Sequence, residues 1–111
     1  MNILEKHYGN ICALIVNIDR ATLKEADEFK NIASAKVESG INNFLVDLSA
    51  CEFIDSTFLG SIVNILKKVS RNGGKLKLTG LQPNVYSMFE LTRMLSVFET
   101  FTDFNDAINS F

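Results

Sequence analysis

The feature that most constrains the fold is a nearly continuous apolar run within Asn43–Ser49, which holds Phe44-Leu45-Val46 and Leu48. A strand with one solvated face alternates apolar and polar side chains, whereas a strand covered on both faces is apolar almost throughout. This segment is therefore our candidate for the centre of a sheet. The chain has 111 residues, of which 47% are hydrophobic, and this suffices for the core of one domain of ordinary size.

Two segments before this run have other patterns of apolar residues. Ile3–Tyr8 and Ile11–Ile18 flank Gly9-Asn10, a pair that accepts positive φ, and together they predict a β-hairpin. From Thr22 until Gly40, apolar residues recur three or four positions apart, which predicts an amphipathic helix. Its predicted core face consists of Leu23, Ala26, Phe29, Ala33 and Val37.

The second half of the chain repeats the alternation. A helix is predicted to begin near Asp55-Ser56-Thr57, because the apolar residues that follow fall on one helix face. Lys75–Thr79 alternates polar and apolar residues as a half-exposed strand does, and Pro83 then begins a further helix. Val97–Phe101 is a candidate short strand, and Asp103 is the candidate cap of a closing helix.

This order of elements predicts the fold class. Strands and helices alternate after the initial hairpin, which is typical of an α/β sandwich whose parallel strands are joined by right-handed crossovers. We expect a single domain over residues 1–111, with a mixed β-sheet opened by the hairpin and packed against about four helices.

Charge and cysteine content exclude several classes of function. The chain has 11 Lys and Arg residues against 13 Asp and Glu residues, so no excess of positive charge neutralises a phosphate backbone, and we expect no nucleic-acid partner. Cys12 and Cys51 both lie in apolar stretches, which favours buried reduced thiols and a cytoplasmic location. The best apolar run, Ile11–Val16, is too short to span a bilayer, so we expect no direct membrane insertion.

Enzymatic and metal chemistry receive little support from the sequence. His7 is the only histidine and lies on the predicted outer strand, where we expect no partners for metal binding or base catalysis. Asp19, Asp47 and Asp55 follow predicted strand ends, an arrangement that allows a receiver-like Mg²⁺ pocket. The opening hairpin interrupts the βα alternation that a receiver needs, which disfavours this pocket. We expect no enzymatic activity, no cofactor and no bound metal.

The most informative segment leads from the central strand into the next helix. A short apolar link joins them, and the first turn of the helix offers the Ser56 hydroxyl beside Asp55 and Thr57. Residues of these types commonly cap helices, and capping is one interpretation. The other is phosphorylation of Ser56, since first-turn amides and the helix dipole tolerate an added charge of about −1.5 to −2. The residues alone leave both interpretations open.

This segment resembles the signature of STAS domains, in particular that of the bacterial anti-sigma factor antagonists. The resemblance lies in Asp47-Leu48-Ser49, in Phe53-Ile54-Asp55-Ser56-Thr57 and in Leu59-Gly60. Further similarity covers almost the whole chain and is found in Asn17-Ile18-Asp19 with Ala21-Thr22, in Leu91 through Leu95 to Phe98, and in Asp106-Ala107-Ile108. Together these pieces are fairly specific, although each piece alone is weak.

The resemblance implies a binding module. In the family, the residue matching Ser56 is phosphorylated by a partner that is both an anti-sigma factor and a GHKL-type serine kinase, and a PP2C-type phosphatase reverses the modification. The unmodified form binds the kinase and releases a sigma factor. Carried over, Ser56 is the phosphoacceptor with Thr57 as the fallback, and Asp19, Asp55 and Phe58 form the switch neighbourhood. Phe58 stands where the family usually has Gly, and we expect its bulk beside the switch either to narrow the range of partners or to mark a divergent branch of the family.

Helix geometry extends the predicted binding surface along the second helix. Thr57, Ser61, Asn64 and Lys68 are spaced by four, three and four residues, so we expect them to line one polar stripe opposite the apolar face. Ser56 heads this stripe, which is expected to bind the partner. A solvated helix face without a partner is the alternative.

A second function comes from another class of protein. The chain is then an accessory or scaffold STAS subunit of a lipid or anion transporter or of a signalling complex. In that case Ser56 only caps the helix and there is no phosphorylation switch. Fold class alone does not decide between the two functions, because one fold hosts unrelated roles.

Overall fold

The fold is an α/β sandwich, and the computed structural model of the chain describes residues 2–111. Seven strands and four helices follow one another in this part of the chain. The strands are β1 (Ile3–Tyr8), β2 (Ile11–Val16), β3 (Arg20–Ala21), β4 (Asn43–Asp47), β5 (Phe53–Ile54), β6 (Lys75–Thr79) and β7 (Thr100–Phe101). The helices are α1 (Leu23–Glu38), α2 (Ser56–Arg71), α3 (Pro83–Leu91) and α4 (Phe104–Asn109).

The main sheet has the predicted central strand. Its order is β1-β2-β4-β6-β7, and β4 pairs in parallel with β2 on one side and with β6 on the other. β1 pairs antiparallel with β2 across the predicted turn, where Gly9 has a φ of +62°. Phe44, Leu45 and Val46 are fully buried, which confirms that β4 is covered on both faces.

Helices cover the two faces of this sheet unequally. α1, α2 and α3 contribute to the larger apolar core on one face, where the rings of Phe29 and Phe58 lie 5.6 Å apart. α4 covers the other face, where a smaller core includes Ile11 and Leu45. Every apolar side chain of β4 therefore has a helix against it, as the continuous apolar run requires.

The helix starts agree with the predicted positions. Thr22 and Asp55 precede α1 and α2, and Pro83 occupies the first position of α3. Asp103 caps α4 by accepting a hydrogen bond from the Asp106 N–H at 2.9 Å. Within residues 2–111, none of these helices has the length and apolar character needed to cross a membrane.

A second sheet of two strands is absent from the sequence-based prediction. β3 and β5 pair in parallel, with Arg20 opposite Phe53 and Ala21 opposite Ile54. α1 and α2 each begin two residues after this last pair, and the two helices pack against each other. Both helices therefore start at the same edge of the molecule. Strands of two residues have no detectable period, which is why the pattern did not indicate them.

The prediction of β6 as a half-exposed strand is wrong. Its last four residues are all buried, because α2 packs against it on one face and α4 on the other. Lys77 is only 3% exposed, and its ammonium group donates hydrogen bonds to the carbonyl oxygen of Ser110 at 2.9 Å and to the hydroxyl at 3.0 Å. A carboxylate oxygen of Glu99 lies 3.2 Å from the same nitrogen. A lysine whose charge is partnered in this way can occupy a core position.

Two apolar residues at helix ends are exposed, and one of them, Leu23, is assigned by the spacing rule to the core face of α1. Leu23 is 62% exposed and Leu91 is 81% exposed. Leu23 is the first residue of α1 and Leu91 is the last residue of α3, so each lies at a helix end. The spacing rule identifies a helix face and does not show how far the covering sheet extends along it.

Substitutions of Lys77 test its role as a core residue. We expect Lys77→Ala to lower the free energy of unfolding by about 2–5 kcal/mol, because the buried stem is removed and the Ser110 carbonyl loses its donor. Lys77→Met keeps most of the buried volume, and the Glu99 carboxylate that loses its partner remains in contact with solvent. Its free energy of unfolding should therefore fall by less than that of Lys77→Ala. Urea unfolding followed by circular dichroism measures both values. Equal losses for the two variants would contradict this role.

Candidate functional site

The candidate site is the start of α2, where Ser56 is the first helical residue and is exposed. The preceding residue, Asp55, is the N-cap, and its Oδ1 accepts a hydrogen bond from the Phe58 N–H at 2.8 Å. The interpretation of Ser56 as the helix cap is therefore wrong. Within residues 2–111 the Ser56 hydroxyl has no hydrogen-bond partner, so it is available to a reagent or a binding partner.

The electrostatics of this helix end favour an added anion. The first turn of α2 carries no acidic residue, and its last turn carries Lys68 and Arg71. A helix N-terminus acts as a partial positive charge of about +0.5, and its first amide groups have no acceptor within the helix. Asp55 binds only one of these amides, that of Phe58. The remaining amides can stabilise a phosphoryl group on Ser56.

The neighbouring start of α1 is already complemented by a carboxylate of its own. Glu25 is buried, and its Oε1 accepts hydrogen bonds from the Thr22 N–H at 2.9 Å and from the Thr22 hydroxyl at 3.1 Å. The Thr22 N–H holds the pKa of Glu25 below its usual range, although burial acts in the opposite direction. Of the two adjacent helix starts, that of α2 is the one whose first turn lacks an acidic residue.

Phe58 belongs to the core and not to the partner-facing surface. Its side chain is fully buried, and its ring packs at 59° to that of Phe29 on α1. Its bulk is therefore not exposed beside Ser56, and the expectation that Phe58 narrows the range of partners stays a prediction. Phe58 instead anchors the first turn of α2, so that Ser56 lies on a fixed backbone.

Asp19 lies at the same edge of the molecule, and its backbone holds the link that leads to α2. Its carbonyl oxygen accepts hydrogen bonds from the Glu52 N–H at 2.8 Å and the Phe53 N–H at 3.0 Å. The guanidinium of Arg20 lies over the Phe53 ring, 4.1 Å from its centroid. The side chain of Asp19 is exposed. Asp19 thus adds a carboxylate to the site surface while its main chain positions the approach to Ser56.

The loop after β4 is fixed against the segment that leads into α3. The Gln82 side-chain amide donates a hydrogen bond to the Ser49 carbonyl oxygen at 2.7 Å. Gly80 has a φ of +74°, and a Cβ at this position would lie 2.7 Å from the Cβ of Ser49, so only glycine permits this approach. Cys51 in the same loop is buried, as is Cys12, which confirms the prediction of buried thiols.

The structure does not assemble the receiver-like acidic pocket. Asp55 caps α2, and Asp47 accepts a hydrogen bond from the Ser49 N–H at 2.9 Å. Among residues 2–111, the metal-ligating side chains that do come together are those of Glu5, His7 and Cys12, on the hairpin. The hypothesis of a Mg²⁺ pocket formed by Asp19, Asp47 and Asp55 is therefore wrong.

The predicted polar stripe on α2 is turned toward α1. Ser61 is only 6% exposed. Its hydroxyl can be buried because it donates a hydrogen bond to the Phe58 carbonyl oxygen at 2.6 Å, which replaces a hydrogen bond to water. Lys68 is half-buried, and its ammonium donates to the Ser34 hydroxyl on α1 at 3.1 Å. Thr57 and Asn64 line a groove of about 200 Å³ between the two helices. The prediction that all four residues line one exposed polar stripe is therefore wrong for Ser61, while Lys68 is partly exposed, and binding of a partner by this stripe stays a prediction.

The exposed face of α2 is a neighbouring set of residues, which we name the α2 ridge. Its members are all exposed and follow one another at spacings of four, four and three residues, and they are Ser56, Gly60, Asn64 and Lys67. Nothing lies within 4 Å of where a Cβ on Gly60 would be, so core packing does not require glycine there. Sequence reasoning missed Gly60 as a surface residue, although its distance of four residues from Ser56 places both on one helix face.

Comparison with known proteins gives a consistent family. The profile of the STAS domain family matches residues 4–107. A relative from Thermotoga neapolitana, named as an anti-sigma factor antagonist, is 38% identical over 96 residues that cover 79% of this chain and 77% of the relative. A crystal structure of a Thermotoga maritima protein, also named as an anti-sigma factor antagonist, superposes with a TM-score of 0.90 at 27% identity. The superposition covers 97% of this chain and 92% of that one.

The same fold also occurs in a protein with a different name. A sulfate transporter family protein from Wolinella succinogenes superposes with a TM-score of 0.81 at 15% identity, covering 95% of this chain and 87% of that one. A likeness at this identity shows the fold alone. Because proteins with different names share the fold, the choice between functions depends on the site.

Substitutions at the start of α2 separate the cap from the exposed serine. We expect Asp55→Ala to lower the free energy of unfolding by about 0.5–2 kcal/mol, because the Phe58 amide loses its acceptor. Ser56→Ala should change it by less than about 0.5 kcal/mol, since Ser56 is exposed and has no such bond. Urea unfolding of both variants measures the difference. A loss at Ser56→Ala as large as that at Asp55→Ala would make Ser56 part of the cap.

Proposed function

The chain belongs to the STAS domain family, and on that premise we propose that it is a phosphorylation-switched binding module, an anti-sigma factor antagonist. The unphosphorylated chain binds an anti-sigma factor that is also a GHKL-type serine kinase, and this binding releases a sigma factor. The STAS domain of residues 1–111 is itself no enzyme and is the substrate of the kinase and of a PP2C-type phosphatase. It acts in the cytoplasm, with neither a nucleic-acid partner nor direct membrane insertion.

The observation that carries this proposal is the position of Ser56. A kinase must reach the acceptor hydroxyl, and Ser56 is exposed at the first position of α2. The helix must also survive the modification, and it keeps its cap because Asp55 holds the Phe58 amide. The added charge falls at the positive end of the helix dipole, where an anion stabilises an exposed helix by about 0.3–1 kcal/mol. Phosphorylation can therefore change the surface without unfolding the domain.

The α2 ridge is the proposed contact surface for the kinase. Ser56 lies at its head and Gly60 lies one turn further on, with no side chain between them on this face. Glycine inside an exposed helix costs about 0.5–1 kcal/mol relative to alanine. Packing within the chain does not require glycine at position 60. Close approach of a partner backbone is therefore the proposed reason for the less stable residue at this position. Asn64 and Lys67 extend the same surface with polar groups.

The switch needs no change of conformation. A phosphoryl group on Ser56 adds a charge of about −1.5 to −2 at the head of the proposed contact surface. Where it meets an acidic or desolvated patch of the kinase, a penalty of about 3 kcal/mol weakens binding more than a hundredfold. The exposed carboxylate of Asp19 lies at the same edge. Together with the phosphoryl group, it increases the negative charge that faces the kinase.

The accessory STAS subunit is the competing function, because the same fold occurs in the Wolinella succinogenes protein of the sulfate transporter family and the fold alone does not choose between the two functions. For this function the sequence assigns Ser56 only the role of helix cap, but in the structure Asp55 is the N-cap of α2. If this function holds, wild type and Ser56→Asp retain the same transporter or scaffold subunit, and Ser56 stays unmodified in the cell.

Charge variants of α2 test the switch. Against the purified GHKL-type kinase, we expect Ser56→Asp to weaken binding by a hundredfold or more, whereas Ser56→Ala binds constitutively with nearly unchanged affinity. Ser70→Asp is the matched control, because it adds the same charge to an exposed serine of the same helix about 21 Å away. Isothermal titration calorimetry measures the three dissociation constants, and thermal unfolding verifies that Ser56→Asp remains folded.

Two outcomes would contradict the switch at Ser56. One is equal affinity of Ser56→Asp and Ser56→Ala for the kinase. The other is an equal loss with Ser70→Asp, which would indicate a general effect of charge. Thr57 remains the fallback acceptor, and Thr57→Ala would then abolish the incorporation of phosphate while Ser56→Ala would not.

Gly60→Ala tests the ridge independently of charge. We expect it to raise the free energy of unfolding by about 0.5–1 kcal/mol, since its Cβ meets no atom within 4 Å in the free chain. Binding to the kinase should nevertheless weaken by about tenfold or more, because the methyl group keeps the partner backbone away. Urea unfolding and calorimetric titration measure the two quantities. Greater stability with unchanged affinity would place the contact elsewhere on the molecule.

A further inference from the structure

The geometry of the opening hairpin points to a metal site: we propose that Glu5, His7 and Cys12 bind one Zn²⁺ ion. The site lies at the start of β2, whereas Ser56 lies beyond the opposite ends of the parallel strands. It is therefore separate from the switch and does not depend on the proposed function. The sequence-based expectation that His7 has no metal-binding partners does not hold in the structure.

The register of the hairpin brings the three side chains together. His7 lies directly opposite Cys12 in the antiparallel pair, and Glu5 is two residues before His7. All three side chains therefore project from the same face of the sheet. Their ligating atoms lie within 4.8 Å of one another, and His7 Nε2 is 3.1 Å from Glu5 Oε2. Ligand atoms of a tetrahedral zinc site are about 3.3–3.7 Å apart, so rotations of exposed side chains close the remaining gap.

The set of donors selects the class of metal. A thiolate, an imidazole and a carboxylate are the three ligand types that Zn²⁺ uses, and three protein ligands leave one tetrahedral position open. Glu5 and His7 are exposed and Cys12 is buried beneath them, so the ion enters from the solvent side. On binding, the S–H bond of Cys12 breaks, a Zn–S bond forms and the proton passes to water, with no change of oxidation state.

Lys36 competes with the metal for Glu5. Its ammonium nitrogen on α1 lies 2.7 Å from Glu5 Oε2, the same oxygen that contacts His7. The ion must displace this ammonium group, and the charge of Lys36 also repels a cation. Lys36 therefore reduces the affinity of the site for Zn²⁺, and its removal should raise it.

Co²⁺ is the probe for this site, because it replaces Zn²⁺ and absorbs light. We expect titration of the whole chain with CoCl₂ to give a sulfur-to-cobalt charge-transfer band with one equivalent bound, and ZnCl₂ should abolish the band. Cys12→Ala should remove the band, whereas Cys51→Ala, the matched change at the other buried cysteine, should keep it. His7→Gln changes an exposed residue and should weaken Zn²⁺ binding by about tenfold or more without affecting folding. Lys36→Met should strengthen it by about fivefold.

Three results would overturn the proposal. The first is the absence of a charge-transfer band with wild type in millimolar CoCl₂. The second is a band that Cys51→Ala removes and Cys12→Ala keeps. The third is a dissociation constant for Zn²⁺ that His7→Gln leaves unchanged, a result that stands even if Cys12→Ala fails to fold.

Discussion

The hydrogen bond from the Phe58 amide to the Asp55 carboxylate is the interaction on which the site depends. It fixes the N-cap of α2 one residue before Ser56, so the serine is helical, exposed and free of a capping role. The same turn carries Phe58, whose ring packs in the core against Phe29 of α1. If the helix began one residue later, Ser56 would be the N-cap and Thr57 would be the first helical residue, and every side chain of the first turn would change its helix position.

The pairing of β3 with β5 places this cap at the edge of the molecule. Ala21 and Ile54 are opposite each other, and each precedes a helix start by two residues. The two N-termini therefore lie at the same edge, but only α1 is complemented there by an acid of its own first turn, Glu25. At α2 the carboxylate is on the N-cap Asp55 and binds the Phe58 amide, so the first turn itself holds a hydroxyl, that of Ser56, where α1 holds the carboxylate of Glu25.

The sequence predicts the frame of the fold better than its polar details. The apolar run of β4, the turn at Gly9 and the caps at Asp55 and Asp103 are local signals, and the structure confirms them. Ser61 and Lys77 are buried because partners from their surroundings satisfy their polar groups. Such partners come from the folded arrangement, so polarity alone wrongly predicts both residues as exposed.

The hairpin shows where sequence reasoning could have gone further. A two-residue turn at Gly9-Asn10 sets the register, which places His7 opposite Cys12 and puts Glu5 on the same face. The juxtaposition of Glu5, His7 and Cys12 therefore follows from the predicted hairpin alone. The α2 ridge is different, because the faces that α2 presents to α1 and to solvent depend on how the two helices pack.

The most direct test of the account is to find the atom that receives phosphate. The purified chain would be incubated with ATP and the proposed GHKL-type kinase, and tandem mass spectrometry would locate the modified residue. If Ser56 is the switch, we expect one phosphate on Ser56 in a chain that remains folded by circular dichroism. Phosphate on a residue away from the start of α2, or none while the kinase modifies other substrates, would contradict it.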